Sequence, residues 1–173
     1  MINVINTKIF NTTEKLKSAI YKTAAEYIFF KAEKDIISVD CIRLMKKALL
    51  EKEADILFAD LLNVNAKGER YYYNLEPSRY EETFAGKQSP YELYKLFHTR
   101  SNLWRDLRGK AIKKTVLLKA LEEADVIQAV YRASISIARV ENAFFFYYED
   151  DCDNKDGYFR SIKTDITEAF DIY

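Results

Sequence analysis

Apolar positions along the chain follow two alternating patterns, one typical of strands and the other typical of helices. Short, mostly apolar runs at residues 2–5, 27–30, 54–59 and 142–148 predict strands, of which 27–30 and 54–59 are expected to be buried. Residues 27–30 are apolar at every position, which is typical of a strand with helices on both faces of a parallel sheet. Between these runs, apolar residues recur every three or four positions and predict helices. The alternation predicts an α/β fold that opens with a strand, a helix and a second strand.

Polar motifs mark where several predicted helices begin. Residues 11–25 start with Asn-Thr-Thr-Glu, which suits a capping box, and Ser38 suits the cap of the next helix. Residues 89–97 start with Ser-Pro-Tyr-Glu, which combines a cap, a proline at the first helical position and a capping glutamate. Another helix is expected to follow Asp125.

The remaining pattern predicts a hairpin and a last helix within a single domain. Residues 65–68, Asn-Ala-Lys-Gly, suit a hairpin loop that returns through residues 71–73. An apolar stripe along residues 162–173 predicts the last helix. The 173 residues are 49% hydrophobic and include only 4 Gly and 2 Pro, and no repeat or linker interrupts them. We therefore interpret residues 1–173 as one domain.

The charge balance and the lack of a signal-peptide pattern limit the classes of function that we expect. Lys plus Arg (27) balance Asp plus Glu (27), so no net field draws the whole chain to nucleic acid or to an anionic membrane. The first ten residues lack a signal-peptide pattern, and no apolar run is long enough to span a bilayer. These observations predict a cytoplasmic protein that neither binds nucleic acid nor spans a membrane.

The residues that most often bind metals are few. Cys41 and Cys152 match no metal-ligand spacing, and we predict no role for them. His98 is the only histidine, and no cysteine or carboxylate lies at ligand spacing from it. We interpret His98 as a surface residue.

Several motifs in order resemble one enzyme family. Residues 27–60, YIFFKAEKDIISVDCIRLMKKALLEKEADILFAD, resemble the middle of the inverting family-2 glycosyltransferases of bacterial polysaccharide synthesis, where a strand like "GEYIxFLDSDD" precedes "xxPDxLxxL" and "ADIV". Residues 109–121 look like the family's "GKLIKR…LKAL". Asp125-Val-Ile and then residues 144–148 are similar to its "EDxxF" helix start and "YxY" strand. The resemblance covers residues 2–148.

The resemblance implies a fold as well as a function. It implies an incomplete GT-A (Rossmann-like) glycosyltransferase domain with a mostly parallel sheet, a hairpin and a helical C-terminal part. In the family, two aspartates at the carboxyl end of the buried strand hold a divalent cation, which bridges the diphosphate of a nucleotide-sugar.

The metal-binding pair is missing from the matching positions. The family's Asp-Ser-Asp falls on Ala32, Glu33 and Lys34, and only the next aspartate, Asp35, is retained. A methyl group removes one ligand, and an ammonium group about 5 Å from a divalent ion costs several kcal/mol at an effective dielectric constant near 20. We therefore expect no metal cofactor, with Mg²⁺ or Mn²⁺ needed only if the chain is an active enzyme.

Two interpretations of this segment remain open. Lys31 and Lys34 could contact phosphate directly in place of the cation, with Glu33 and Asp35 still able to hold an ion. The alternative is that residues 31–35 form a solvated turn between a strand and a helix.

Two other candidates also have structural alternatives. Asp125 matches the family's general base toward the acceptor hydroxyl, or else it caps the helix that follows. Trp104 falls where the family often has a tryptophan near its acceptor region, or else it packs in the core.

The resemblance begins at the family's third strand, after the strands that make most base and ribose contacts. The missing strands would lie between those matching residues 2–5 and 27–30. We therefore expect either direct pairing of these two strands or completion of the sheet by another chain, as a homo-oligomer or a second glycosyltransferase polypeptide.

Together these features predict a degenerate glycosyltransferase-family-2-like domain. It would not transfer sugar alone and would act by binding a partner or a saccharide. The alternative is a functional part of a nucleotide-sugar-dependent glycosyltransferase completed by another chain. A third hypothesis is an unrelated small α/β binding module.

Overall fold

The structure, a computed structural model, describes residues 1–6, 13–64, 70–72, 88–98, 102–148 and 170–171. Strands β1 to β8 are Ile2–Asn6, Tyr27–Lys31, Ile36–Ile37, Ile56–Val64, Arg70–Tyr72, Lys110–Lys113, Ile137–Tyr148 and Phe170–Asp171. The described helices, α1 to α6, are Thr13–Lys22, Val39–Glu51, Pro90–Phe97, Asn102–Arg105, Lys114–Ala120 and Val126–Ala133. The predicted α/β class is confirmed.

All eight described strands belong to one mixed sheet. Its order is β3-β7-β4-β6-β2-β1-β8, and β5 pairs with β4. Strands β1, β2, β4 and β7 run in one direction, because β1–β2 and β4–β7 pair in parallel and β6 lies antiparallel between β2 and β4. The sheet is therefore less parallel than expected, since the four-residue strand β6 is too short to stand out in the sequence. Its reversed direction places the start of β6 beside the carboxyl ends of β2 and β4.

The first two strands pair directly with each other. Ile2 to Asn6 lie opposite Tyr27 to Lys31 in parallel register. This pairing confirms the first of the two arrangements expected from the sequence. Because the strands are hydrogen-bonded neighbours, no further strand fits between them.

The outer edge of β1 is covered by β8, which overturns part of the last predicted helix. Phe170 and Asp171 pair antiparallel with Val4 and Asn3. An open apolar strand edge gains more from backbone pairing than a short amphipathic segment gains from helical hydrogen bonds. The rest of residues 162–173 lies outside the described residues.

The core lies on both faces of the central strands. In β2, Tyr27 to Phe30 are all buried, and Phe29 meets Phe145 of β7 edge to face with ring centroids 5.6 Å apart. Helix α2 contributes its buried stripe of Cys41, Ile42 and Met45. Burial raises the pKa of the Cys41 thiol to about 12, so this cysteine packs as a small apolar residue.

A buried aspartate fixes an irregularity between β4 and β7. The register shifts between Phe58 and Asp60 of β4. The Asp60 carboxylate accepts a bond from Arg139 Nε at 2.5 Å and another from Asn142 N at 2.8 Å, where Asn142 has a φ of 61°. The ion pair stabilises the bulge that lets the long strand β7 follow β4.

The predicted helix starts agree with the structure in part. Ser89 and Glu92 form the complete capping box of α3. Ser38 is the N-cap residue of α2, but its side chain makes no capping hydrogen bond. Helix α1 ends at Lys22, earlier than expected, and the proposed cap at Asn11 lies outside the described residues.

The hairpin is confirmed in its strands. Leu62 to Val64 of β4 pair antiparallel with β5. The predicted loop at residues 65–68 and Tyr73 lie outside the described residues, as does Cys152. No helix in the described part of the chain is long and apolar enough to cross a membrane.

The two serine caps differ in a way that mutagenesis can measure. We expect Ser89→Ala to lower the free energy of unfolding by about 1 kcal/mol, because the variant loses the bond that Ser89 Oγ accepts from Glu92 N. Ser38→Ala is the matched control and should be neutral or slightly stabilising, since the buried Ser38 hydroxyl has no hydrogen-bond partner. Urea denaturation of both variants measures the difference, and equal losses would contradict this account.

Candidate functional site

The carboxyl end of β2 leads into a turn that is closed by Asp35. The Asp35 carboxylate accepts a hydrogen bond from Ala32 N at 2.6 Å through Oδ2, and Asp35 N donates to Ala32 O at 3.2 Å. Asp35 is only 2% exposed, whereas Glu33 and Lys34 are exposed and Lys31 is half-buried. Asp35 therefore faces into the protein and holds its own turn.

Arg108 lies between Asp35 and a second carboxylate, Asp106. Arg108 Nη1 is 3.5 Å from Asp35 Oδ1, and Arg108 Nε is 2.6 Å from Asp106 Oδ2. The Arg108 backbone N–H donates to Asp106 Oδ1 at 2.9 Å. The side chains of Arg108, Asp35 and Asp106 are 14%, 0% and 13% exposed. The shorter, charge-assisted pair with Asp106 is the stronger of the two contacts.

Gly109 fixes the position of this arginine. Gly109 N donates to Phe30 O at 3.0 Å, and Gly109 O accepts from Ala59 N at 2.9 Å, so the residue joins β2 to β4. Its φ is 71°, and a Cβ atom there would lie 2.9 Å from Phe145 Cδ1. Both the conformation and the close approach require glycine. This bridge brings Arg108 alongside the turn that holds Asp35.

Lys110 supports the same loop from inside the protein. It is fully buried, and its Nζ donates to Asp106 O and to Arg108 O, the latter at 3.4 Å. Nζ also lies 5.2 Å from the centroid of the Phe58 ring. Burial lowers the pKa of Lys110 to about 7, an effect that the charge of Asp106 opposes and that of Arg108 reinforces. The loop at residues 106–109 thus depends on an amine that titrates near neutral pH.

An aromatic cluster behind this loop contains Trp104. Trp104 is 0% exposed and packs on Phe58 and Tyr131, with centroids 5.2 and 5.3 Å away. The packing interpretation of Trp104 is confirmed, and a contact with an acceptor would require this cluster to open. Tyr131 is also fully buried, and burial, followed by Tyr94 and Asp106, raises its pKa well above the ordinary value.

Asp125 caps helix α6. Its Oδ1 accepts a hydrogen bond from Gln128 N at 3.0 Å, which confirms the capping interpretation. The residue is exposed and close enough to Tyr94 to raise the pKa of that phenol, after the larger effect of burial. The carboxylate is therefore held at a helix start beside α3, and its role as a general base stays a prediction.

The sequence candidates thus fall into two places. Lys31 is the last residue of β2, and Lys34 and Asp35 lie in the turn that follows. Contact of either lysine with phosphate, and the place of Asp35 in the phosphate region, stay predictions. The other two candidates belong to helices: Trp104 lies within α4, and Asp125 is the N-cap residue of α6. His98 is half-buried at the end of α3, where its Nδ1 lies 3.0 Å from Tyr94 O and its ring stacks on Tyr94.

No motif in the sequence marked Asp106, Arg108 and Lys110 as site residues. These charged residues lie in the segment RDLRGK, just before and at the start of β6. The charged residues before a strand are a usable signal, but Arg108 is 73 positions from Asp35, and only the sheet brings them together. Within the described ranges, no three His, Cys, Asp or Glu residues are grouped so that they could hold a metal ion.

A separate cleft lies away from this turn. It has a volume of about 680 Å³ and runs between α2 and β7, beside Leu44, Ala48 and Ile137. None of the residues that line it belongs to the segments 31–35 or 106–110.

Comparison with known proteins identifies the fold. No protein-family model and no curated protein matches the chain. A crystal structure of residues 1–349 of S. aureus TarS, a family-2 glycosyltransferase, matches with a TM-score of 0.51 and 13% identity over 79% of this chain. The same protein in complex with UDP-GlcNAc matches with a TM-score of 0.49 and 16% identity over 79% of this chain. The chain has a glycosyltransferase-like fold and spans 38–40% of the length of those structures.

Substitution of Gly109 tests the loop. We expect Gly109→Ala to lower the melting temperature by roughly 2–8 °C from the left-handed conformation alone, with a further loss from the contact with Phe145. Differential scanning calorimetry measures the shift. An unchanged melting temperature would show that the loop does not hold the conformation described.

The lowered pKa of Lys110 predicts how the free energy of unfolding depends on pH. Because its pKa is lower in the folded than in the unfolded protein, the unfolded state binds more protons between pH 7 and about 10, and stability attributable to this group rises with pH there. Burying the charged form costs on the order of a few kcal/mol below pH 7. We therefore expect the free energy of unfolding of wild type to rise between pH 7 and 9 relative to Lys110→Met.

Wild type and Lys110→Met share all other titrating groups, including Cys41 and Tyr27. The contributions of those groups therefore cancel in the difference between the two free energies of unfolding. Urea denaturation at pH 6, 7, 8 and 9 provides the measurement. Parallel pH profiles for the two proteins would contradict a lowered pKa at Lys110.

Proposed function

We propose that this chain is a glycosyltransferase-family-2-like domain, related to those of bacterial polysaccharide synthesis, that does not transfer sugar by itself. The glycosyltransferase-like fold and the order of motifs in the sequence support the family relation. The domain would act by binding a partner chain or a saccharide.

The observation that carries the proposal is that both carboxylate oxygens of Asp35 already have partners in the protein. It is the one aspartate retained beside the family's metal-binding motif, and both of its oxygens face groups of the protein, Ala32 N and Arg108 Nη1. At the matching positions Ala32 offers no ligand and Lys34 offers a positive charge. A divalent ion needs oxygen ligands that are free to reach it.

The alternative is a transferase whose nucleotide-binding half comes from another chain. The direct pairing of β1 with β2 speaks against insertion of strands at the place where the family has them. A partner would have to add at an edge of the sheet instead. Asp125 as base and Lys34 or Asp35 at the phosphates belong to this alternative.

Thermal titration with sugar nucleotides tests the proposal. Saturation of a site at a hundred times its dissociation constant stabilises a protein by about 2.7 kcal/mol, or roughly 5–11 °C for a chain of this size. We expect no Mn²⁺-dependent shift with UDP or UDP-GlcNAc, and no sugar transfer or hydrolysis of UDP-GlcNAc by the purified chain.

TarS 1–349, which has been crystallised with UDP-GlcNAc, is the positive control in the same assay. A shift that requires both nucleotide and Mn²⁺, or turnover that EDTA abolishes, would overturn the proposal. A shift with UDP-GlcNAc that is independent of metal would instead support contact of Lys31 or Lys34 with phosphate and would favour the alternative.

A further inference from the structure

We propose that the guanidinium of Arg108 is a built-in cation that occupies a potential divalent-cation site between Asp35 and Asp106. The site consists of two carboxylates from separate parts of the chain, one after β2 and one before β6, with the arginine contacting both. The inference deepens the proposed function, because it explains how the domain holds its charged turn without a metal.

Burial makes a cation necessary at this position. The Asp35 side chain has no exposed surface and that of Asp106 is 13% exposed. Backbone N–H groups of Ala32 and Arg108 each satisfy one carboxylate oxygen, but they carry no net charge. Two carboxylates in such a setting require a positive charge close by.

Arginine meets that requirement better than an ion from solution. The guanidinium is planar and always charged, and its Nε and Nη1 donors reach the two different carboxylates at once. Since it is part of the chain, it is present at a high effective concentration whenever the domain is folded. The hydrogen bonds of Gly109 to Phe30 and Ala59 hold the arginine in place.

Removal of the arginine should convert the pair into a cation site. Ca²⁺ accepts six to eight oxygen ligands, and Mg²⁺ keeps several of its waters, so two carboxylates that no longer contact an arginine can share a hydrated ion. Lys110 contacts backbone carbonyls of the same loop.

The test compares Arg108→Met with wild type at pH 8. In EDTA we expect the variant to melt roughly 6–20 °C below wild type, because a buried charge pair has lost one partner. Millimolar Ca²⁺, Mg²⁺ or Mn²⁺, each tested alone, should raise the melting temperature of the variant, by roughly 5–11 °C at a hundred times the dissociation constant. Wild type should show no such shift.

Three further variants control the result. Arg43→Met removes an exposed arginine whose Nη2 lies 2.9 Å from Asp40, and it should show neither the large loss nor the response to cations. Asp35→Asn combined with Arg108→Met removes one carboxylate, and the response to cations should disappear. Arg108→Gln keeps a hydrogen-bonding side chain without charge and should respond like Arg108→Met, which provides a second test if the methionine variant folds poorly.

The outcomes separate this inference from the proposed function. A folded Arg108→Met or Arg108→Gln protein that ignores all three ions would overturn the inference, whatever nucleotides do. Arg108→Met that folds only in the presence of a divalent ion would support it. A response of wild type to the ions alone would also overturn it, whereas a wild-type response that requires a sugar nucleotide as well would overturn the proposed function.

Discussion

A buried carboxylate at the end of a central strand must be matched by a positive charge, and the region around Asp35 is arranged to supply one. Arg108 reaches Asp35 from a loop that is distant in sequence, and that loop is held by hydrogen bonds from Gly109 to two strands. Lys110 then supports the loop through the carbonyls of Asp106 and Arg108. The charge of Asp35 thus helps to determine the geometry of the loop at residues 106–109. The low dielectric constant of the interior makes an unmatched charge costly.

The sheet explains why this loop can reach the turn. Strand β6 runs antiparallel between β2 and β4, so its start lies at the edge where its neighbours end. If β6 ran parallel to them, residues 106–109 would lie at the opposite edge, far from Asp35. The direct pairing of β1 with β2 closes the other side of β2, and its buried apolar residues are covered without additional strands.

The aromatic cluster connects this edge to the helices. Tyr131 stacks on Tyr94 with centroids 4.9 Å apart, and burial, with a smaller contribution from Asp106, raises the pKa of its phenol well above the ordinary value. Asp125 acts on Tyr94 from the start of α6. The fold matches a glycosyltransferase structure over 79% of this chain. The rings pack tightly and leave Trp104 inaccessible, which fits a structural role for this cluster.

The sequence by itself determined the α/β class, the buried strand β2, the hairpin strands and the capping box of Ser89 and Glu92, which depends on neighbouring residues. These features follow from local periodicity and from hydrogen bonds over three or four positions. Only the tertiary structure decided the direction of β6, the strand at Phe170 and the partnership of Arg108 with Asp35, because these depend on contacts between residues more than 70 positions apart. Local pattern carries no information on which distant charge a buried carboxylate will meet.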